Sequence, residues 1–153
     1  MNFLLCGPLI SFSPVVSDRR SPVADFLARY DRVCEVGIGR RPAVAGRLAE
    51  RGVAVTATDV EPRTVPDGVR FVVDDLRDAS RRVAAGDHPG EQYDADAIYA
   101  LNCPPELHRS LSTVARAVGA DCLFTTLGGD SPTIPVERHA LDGGETLYRS
   151  SHP

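Results

Sequence analysis

The sequence predicts an α/β fold, a mostly parallel sheet with helices on both faces. Three observations carry this. Strand-like and helix-like segments alternate from residue 21 onward. The strand-like runs are almost continuously apolar, as in Cys122-Leu123-Phe124, which suits strands buried on both faces. Each run also ends at a Gly, Asp or Asn-Pro type turn. Alternation of this kind implies parallel strands joined by helical crossovers.

Ser21 is a good N-cap and Pro22 a good first helical residue. Val23, Phe26, Leu27 and Tyr30 follow at i, i+3, i+4, i+7 spacing and predict a short amphipathic helix. Arg32 to Val36 reads as a strand ending at Gly37, and Pro42 to Arg51 as a helix with Gly52 closing it. Val53 to Thr58 is a second strand ending at Asp59, and the proline-containing stretch 61–68 is a loop. Val69 to Val73 is a third strand. Leu76, Ala79 and Val83 mark a helix that stops by Gly86. Ala95 to Leu101 is a fourth strand. A helix from Glu106 buries Leu107, Leu111, Val114, Ala115 and Val118 and stops at Gly119. Cys122 to Leu127 is a fifth strand, and Thr146 to Ser150 is expected to add one last edge strand.

The 153 residues, 42% hydrophobic and 25% charged, suffice for one domain with its own core. That composition argues against a disordered chain, and the 13 glycines follow no collagen triplet. A net charge of -4 disfavours a basic nucleic-acid-binding domain and points to a small molecule or a protein as partner. All 17 basic residues are Arg, which we read as codon bias. Cys6, Cys34, Cys103 and Cys122 form no CxxC pair. A zinc site or disulfide framework is therefore not expected, and a cytoplasmic setting is. No apolar run approaches the ~20 residues that cross a membrane. Residues 1–20 are mildly apolar, lack a basic start and are interrupted by Pro8. They read as a flexible arm or an over-extended start rather than a signal peptide, leaving 21–153 as a single domain.

Right-handed crossovers bring the carboxyl ends of parallel strands to one edge, where ligands bind. Glu35-Val36-Gly37-Ile38-Gly39 lies between a strand and a helix. Its glycines permit a tight turn and close approach of a ligand to the backbone, and the following helix offers free N–H groups to an anion. The alternative is a plain tight turn. The dinucleotide pattern G-x-G-x-x-G fails because Pro42 stands at the third glycine position. The acidic residue ahead of G-x-G instead resembles motif I of Rossmann-like, S-adenosylmethionine-dependent methyltransferases.

Asp59, twenty residues after Gly39 at the end of the second strand, is placed to bind ribose hydroxyls, or else to cap the strand end. Asp74-Asp75 follows the third strand and is either an adenine contact or a helix N-cap. Asn102-Cys103-Pro104-Pro105-Glu106 loosely resembles the Asn-Pro-Pro motif of amine methyltransferases. It also reads as a rigid strand-to-helix turn. Arg40 and Arg41 can meet a phosphate or carboxylate. His88, His108, His139 and His152 have no metal-ligand spacing. Serine hydrolase and P-loop signatures are absent.

Glu35 to Pro42, Thr58-Asp59-Val60, Asp74-Asp75-Leu76 and Ile98 to Leu107 together resemble a small archaeal group, uncharacterised protein family 0146. The resemblance runs from about Ser21 to Gly129. It implies a Rossmann-like, class I methyltransferase-like domain, trimmed at its C-terminus. It also implies S-adenosylmethionine as cofactor. Glu35, Gly37 and Gly39 would then face the amino-acid part, Asp59 the ribose and Asp74 or Asp75 the adenine, with Ile38, Val60 and Asn102 also among the cofactor-binding residues. The methyl acceptor would lie near Asn102. Two other readings stand beside it: a non-catalytic nucleotide-binding or regulatory module, and a minimal NAD-binding domain. An exposed edge strand would offer a route to a homodimer.

Overall fold

The computed structural model describes residues 21–151. The expectation of an N-terminal arm, together with Cys6 and His152, lies outside the described residues. The chain runs α1 (Pro22–Leu27), β1 (Arg32–Val36), α2 (Ala43–Glu50), β2 (Ala54–Asp59), β3 (Val69–Val73), α3 (Leu76–Ala84), β4 (Ala97–Ala100), α4 (His108–Val118), β5 (Asp121–Phe124), β6 (Val136–Ala140) and β7 (Thr146–Ser150). The seven strands form one sheet in the order β3-β2-β1-β4-β5-β7-β6. The pairs among β1 to β5 are parallel, and β7 is antiparallel to both β5 and β6. This is the Rossmann-like sheet of class I methyltransferases.

The helices start and stop for local reasons. The Ser21 hydroxyl accepts from the Ala24 amide and Pro22 opens α1; Asp75 caps α3 by accepting from the Arg77 amide. Gly119, at φ 73°, closes α4 in the left-handed conformation, which costs a residue with a Cβ about 1–2 kcal/mol. Side chains alternate across the strands and so divide the core in two. Val33, Ala97, Tyr99 and Leu123 pack with Val23, Leu27 and Leu48 of α1 and α2. Cys34, Ile98, Cys122 and Phe124 pack with Leu76, Ala79, Leu111 and Val114 of α3 and α4.

Two expectations need correction. First, the opening helix ends at Leu27 and does not reach Tyr30. Tyr30 sits beyond it and donates its hydroxyl to Asp121 Oδ2 at 2.7 Å, tying the start of β1 to β5. Second, Thr146–Ser150 is not an edge strand. It lies between β5 and β6, and β6 forms the edge. Val136-Glu137-Arg138-His139-Ala140 has no apolar run that would reveal a strand, in keeping with the polar character of protected edges. The sheet has seven strands, and the β5–β6 connection, 125–135, is loop throughout. Among the described residues no helix is long and apolar enough to cross a membrane.

Leu111 is fully buried between α4 and the sheet. Truncation to Ala is expected to cost about 2–5 kcal/mol, read as a lower urea midpoint. A cost under 1 kcal/mol would mean that α4 does not seal this half of the core.

Candidate functional site

The sheet order reverses between β1 and β4, since β2 and β3 lie to one side and β5 to the other. A cavity of about 430 Å³ opens at this point, where ligands settle in open α/β sheets and within the size range of small-molecule sites. Its walls come from the turn after β1, the start of α2, the end of β4 and Thr125 after β5. Glu35, Gly37, Ile38, Gly39 and Asn102, all predicted from sequence, meet there.

The turn is shaped by its neighbour strand. The amides of Gly37 and Ile38 donate to the Thr58 carbonyl at 2.9 and 3.1 Å. Gly37 and Gly39 stand at φ 71° and 58°, a region that disfavours side chains. A Cβ on either glycine would meet no atom closer than 3.9 Å, so the glycines are required by dihedral angle and not by crowding. The Gly39 amide donates to Asp59 Oδ2 at 2.8 Å. Asp59 Oδ1 accepts from the Glu61 amide at 3.1 Å, and Arg63 Nε stands 3.4 Å from Oδ2. Burial pushes the Asp59 carboxyl up, but the two amides and Arg63 outweigh it and hold it below the ordinary range. Asp59 thus clasps the turn from outside the cavity wall. Val60, 58% exposed, presents apolar surface beside it.

Glu35 lies in register with Tyr99 on β4. Only 1% of Glu35 is exposed, yet it lines the cavity. The Tyr99 hydroxyl donates to Glu35 Oε1 at 2.7 Å. No described residue bonds Oε2. Burial raises the carboxyl to about 8, with the Tyr99 bond opposing it in part. A buried acid of this kind favours its neutral form until a cation arrives. Arg40 and Arg41 line the same cavity and are exposed.

Asn102 adopts φ 51°, the one left-handed non-glycine among the described residues. Its amide donates to Thr125 Oγ1 at 2.8 Å, and the Cys103 amide donates to the Thr125 carbonyl at 2.8 Å. Cys103 itself is buried, and its thiol is pushed up to about 12 by burial and then by the Glu106 charge. It is a packing residue rather than a nucleophile.

Asp74 and Asp75 are not brought to the cavity. Asp74 Oδ2 accepts from Arg82 Nη2, Gln92 Nε2 and the Tyr93 hydroxyl at 2.7 to 2.9 Å. Burial raises the Asp74 carboxyl, but those bonds from Tyr93 and Arg82 prevail and lower it. Asp75 is the α3 N-cap.

Sequence reasoning missed Thr125 and Glu145, both on the cavity wall. Thr125 carried a readable signal, a hydroxyl residue just past an apolar strand on the ligand edge. Glu145 carried none, because it sits in the β6–β7 turn. No cluster of three or more His, Cys, Asp or Glu able to hold a metal ion occurs among the described residues.

The sheet and its helices are those of the class I methyltransferase fold. The N-methyltransferase NodS from Bradyrhizobium japonicum superposes with a TM-score of 0.54 at 14% identity, covering 86% of this chain and 94% of NodS. Cofactor-bound Rv0187 from MTB gives 0.54 at 13% identity over 89% and 81% of the two chains. At such identities the likeness is one of fold. Residues 21–152 match the Uncharacterised protein family (UPF0146), and the chain belongs to that family. A UPF0146 protein of Halobacterium salinarum is 55% identical over 123 residues, 80% of this chain and 89% of the relative. One of Archaeoglobus fulgidus is 46% identical over 110 residues, 71% and 78% of the two chains.

The raised Glu35 carboxyl makes stability depend on pH. Relative to an ordinary carboxyl at 4.5, the fold prefers the protonated form. That contribution is fully present below about 4.5 and is lost as pH rises through about 8. Glu35→Gln stays neutral over this window. Urea midpoints measured from pH 4 to pH 9 are expected to fall more steeply with pH for the native protein than for E35Q. Parallel profiles would show that Glu35 ionises freely.

Proposed function

We propose that this cavity binds S-adenosylmethionine and that the protein is a methyltransferase whose acceptor lies near Asn102. The observation that carries the reading is Glu35: a buried carboxyl at the fold's ligand-binding edge, with Oε1 held by Tyr99 and Oε2 left without a described partner. A cationic amino group from the ligand would ionise it and form a charge-assisted hydrogen bond. The residues present fit the rest of the cofactor. Arg40 and Arg41 offer guanidinium groups to a carboxylate. The Gly37–Gly39 turn admits close backbone approach, and Asp59 stands beside it for a ribose. The sugar would take over a carboxylate position now facing Arg63. Val60 offers apolar surface for the base. Asp74 and Asp75 contribute least, because both are engaged in the protein's own hydrogen bonds.

The bound cofactor supplies a methyl group on a sulfonium. The protein's contribution is to bind, orient and exclude water, and such a reaction needs no obligatory acid or base. Thr125 holds the backbone of Asn102 in its left-handed turn, with Asn102 lining the cavity. A second reading, a ligand-binding module without turnover, is favoured by the helix-free 125–135 connection, which leaves the acceptor side lightly walled.

S-adenosylmethionine and S-adenosylhomocysteine are expected to raise the melting temperature of the full chain, and NAD is not. Calorimetry should show binding weakened at least tenfold by Glu35→Gln. Stabilisation by NAD alone would overturn the cofactor assignment. Methyl transfer from labelled cofactor into cell extract separates the enzyme from the module.

A further inference from the structure

The β5–β6 connection carries no helix over the sheet beside α4, and a second cleft of about 390 Å³ lies there. It is bounded by α4, the 134–135 stretch and the end of β7. We propose that this cleft is a binding site for a phosphate-type oxyanion, separate from the cavity at the β1 and β4 ends.

Three independent features point to that chemistry. The first is charge. Arg109 and Arg116 are seven residues apart, two turns along one helix face, and both line the cleft. Neither forms an ion pair with a described residue. By contrast Arg32, Arg51, Arg63, Arg77, Arg81, Arg82 and Arg149 all face carboxylates. No carboxylate lines the cleft, so a chain of net charge -4 is locally cationic here.

The second is the floor. Ser112 and Ser150 are both buried, at 7% and 8% exposure, and their hydroxyls meet at 3.0 Å. A hydroxyl has one hydrogen and two lone pairs. The mutual bond uses one of the pair's two hydrogens and leaves the other to donate. That second hydrogen can turn toward the cleft and donate to an oxyanion.

The third is the rim. Thr113 and Ser151 add further hydroxyls to the lining. Arg forms forked, charge-assisted bonds to phosphate oxygens. Two cations, hydroxyl donors and no acid make a lining that suits an anion and repels a cation.

The test is isothermal titration of the full chain with inorganic pyrophosphate and with a short single-stranded RNA. Arg109→Ala/Arg116→Ala and Ser112→Val serve as variants, and circular dichroism checks their fold. Saturable binding of either probe is expected, weakened at least tenfold by the double variant and measurably by S112V. S-adenosylhomocysteine affinity should be unchanged in both. Pyrophosphate binding identifies a small phosphate-bearing anion as the source. RNA binding alone identifies a phosphodiester backbone, and both outcomes support the oxyanion site. Absence of saturable binding by both probes would overturn it. So would binding that survives in the double variant. Because S-adenosylhomocysteine is followed separately, failure here leaves the cofactor reading standing, and the reverse holds too.

Discussion

The constraint on which the site depends is the fastening of the β1–α2 turn to the end of β2. Three successive amides, those of Gly37, Ile38 and Gly39, are committed to Thr58 and Asp59. Bonding of this density fixes a turn that would otherwise move freely, and it leaves the turn's inner surface open toward the cavity. It also explains why glycine stands at both positions: the bonding fixes a left-handed backbone that glycine adopts without a steric penalty. Asp59 therefore has a structural task whether or not a sugar reaches it. Its lowered pKa belongs to that task, since two of the groups lowering it are amides that hold the turn and the loop after β2.

Glu35 shows the opposite economy. A carboxyl two residues ahead of the turn, on the buried face shared with Val33 and Tyr99, costs the fold stability in its charged form. A Gln or Leu there would satisfy the strand pairing equally well. The same burial that penalises the ion in the empty protein strengthens its interaction with an incoming cation, because both act in a low local dielectric. A buried carboxyl held above its ordinary range at the edge of a cavity marks Glu35 as a candidate for ligand contact.

Much of this was legible in the sequence because it depends on short-range rules. Apolar runs gave the five parallel strands to within one to three residues at each end, and Ser21-Pro22, Asp75 and Gly119 punctuate the helices through cap chemistry that acts over three or four residues. The Glu35–Gly39 turn and Asp59 were readable because the order of parallel strands brings their carboxyl ends to one edge. What escaped depends on long-range pairing. β6 has the composition of a loop and becomes a strand only because β7 presents a free edge to it. Asp74 and Asp75 read equally well as ligand contacts or as structural acids. The choice turns on Arg82, Gln92 and Tyr93, which reach Asp74 from 8 to 19 residues away.

The Asn102 side of the cavity is held by a further long-range device. His108 is wholly buried and stacks on Phe124 at 4.3 Å between centroids. Its Nδ1 accepts from the Thr133 amide at 3.2 Å, which leaves Nε2 to carry the hydrogen and donate to the Cys103 carbonyl at 3.0 Å. One imidazole thus ties the loop after β4 to the connection after β5. Thr125 binds the same two loops from the other side, through Asn102 and Cys103. With no helix in the 125–135 connection, a histidine, a threonine and an extended segment hold this side of the cavity. The loop after β4 keeps a defined shape through these bonds. Asn102 and Thr125 thus reach the cavity wall on loops fixed by contacts distant in sequence.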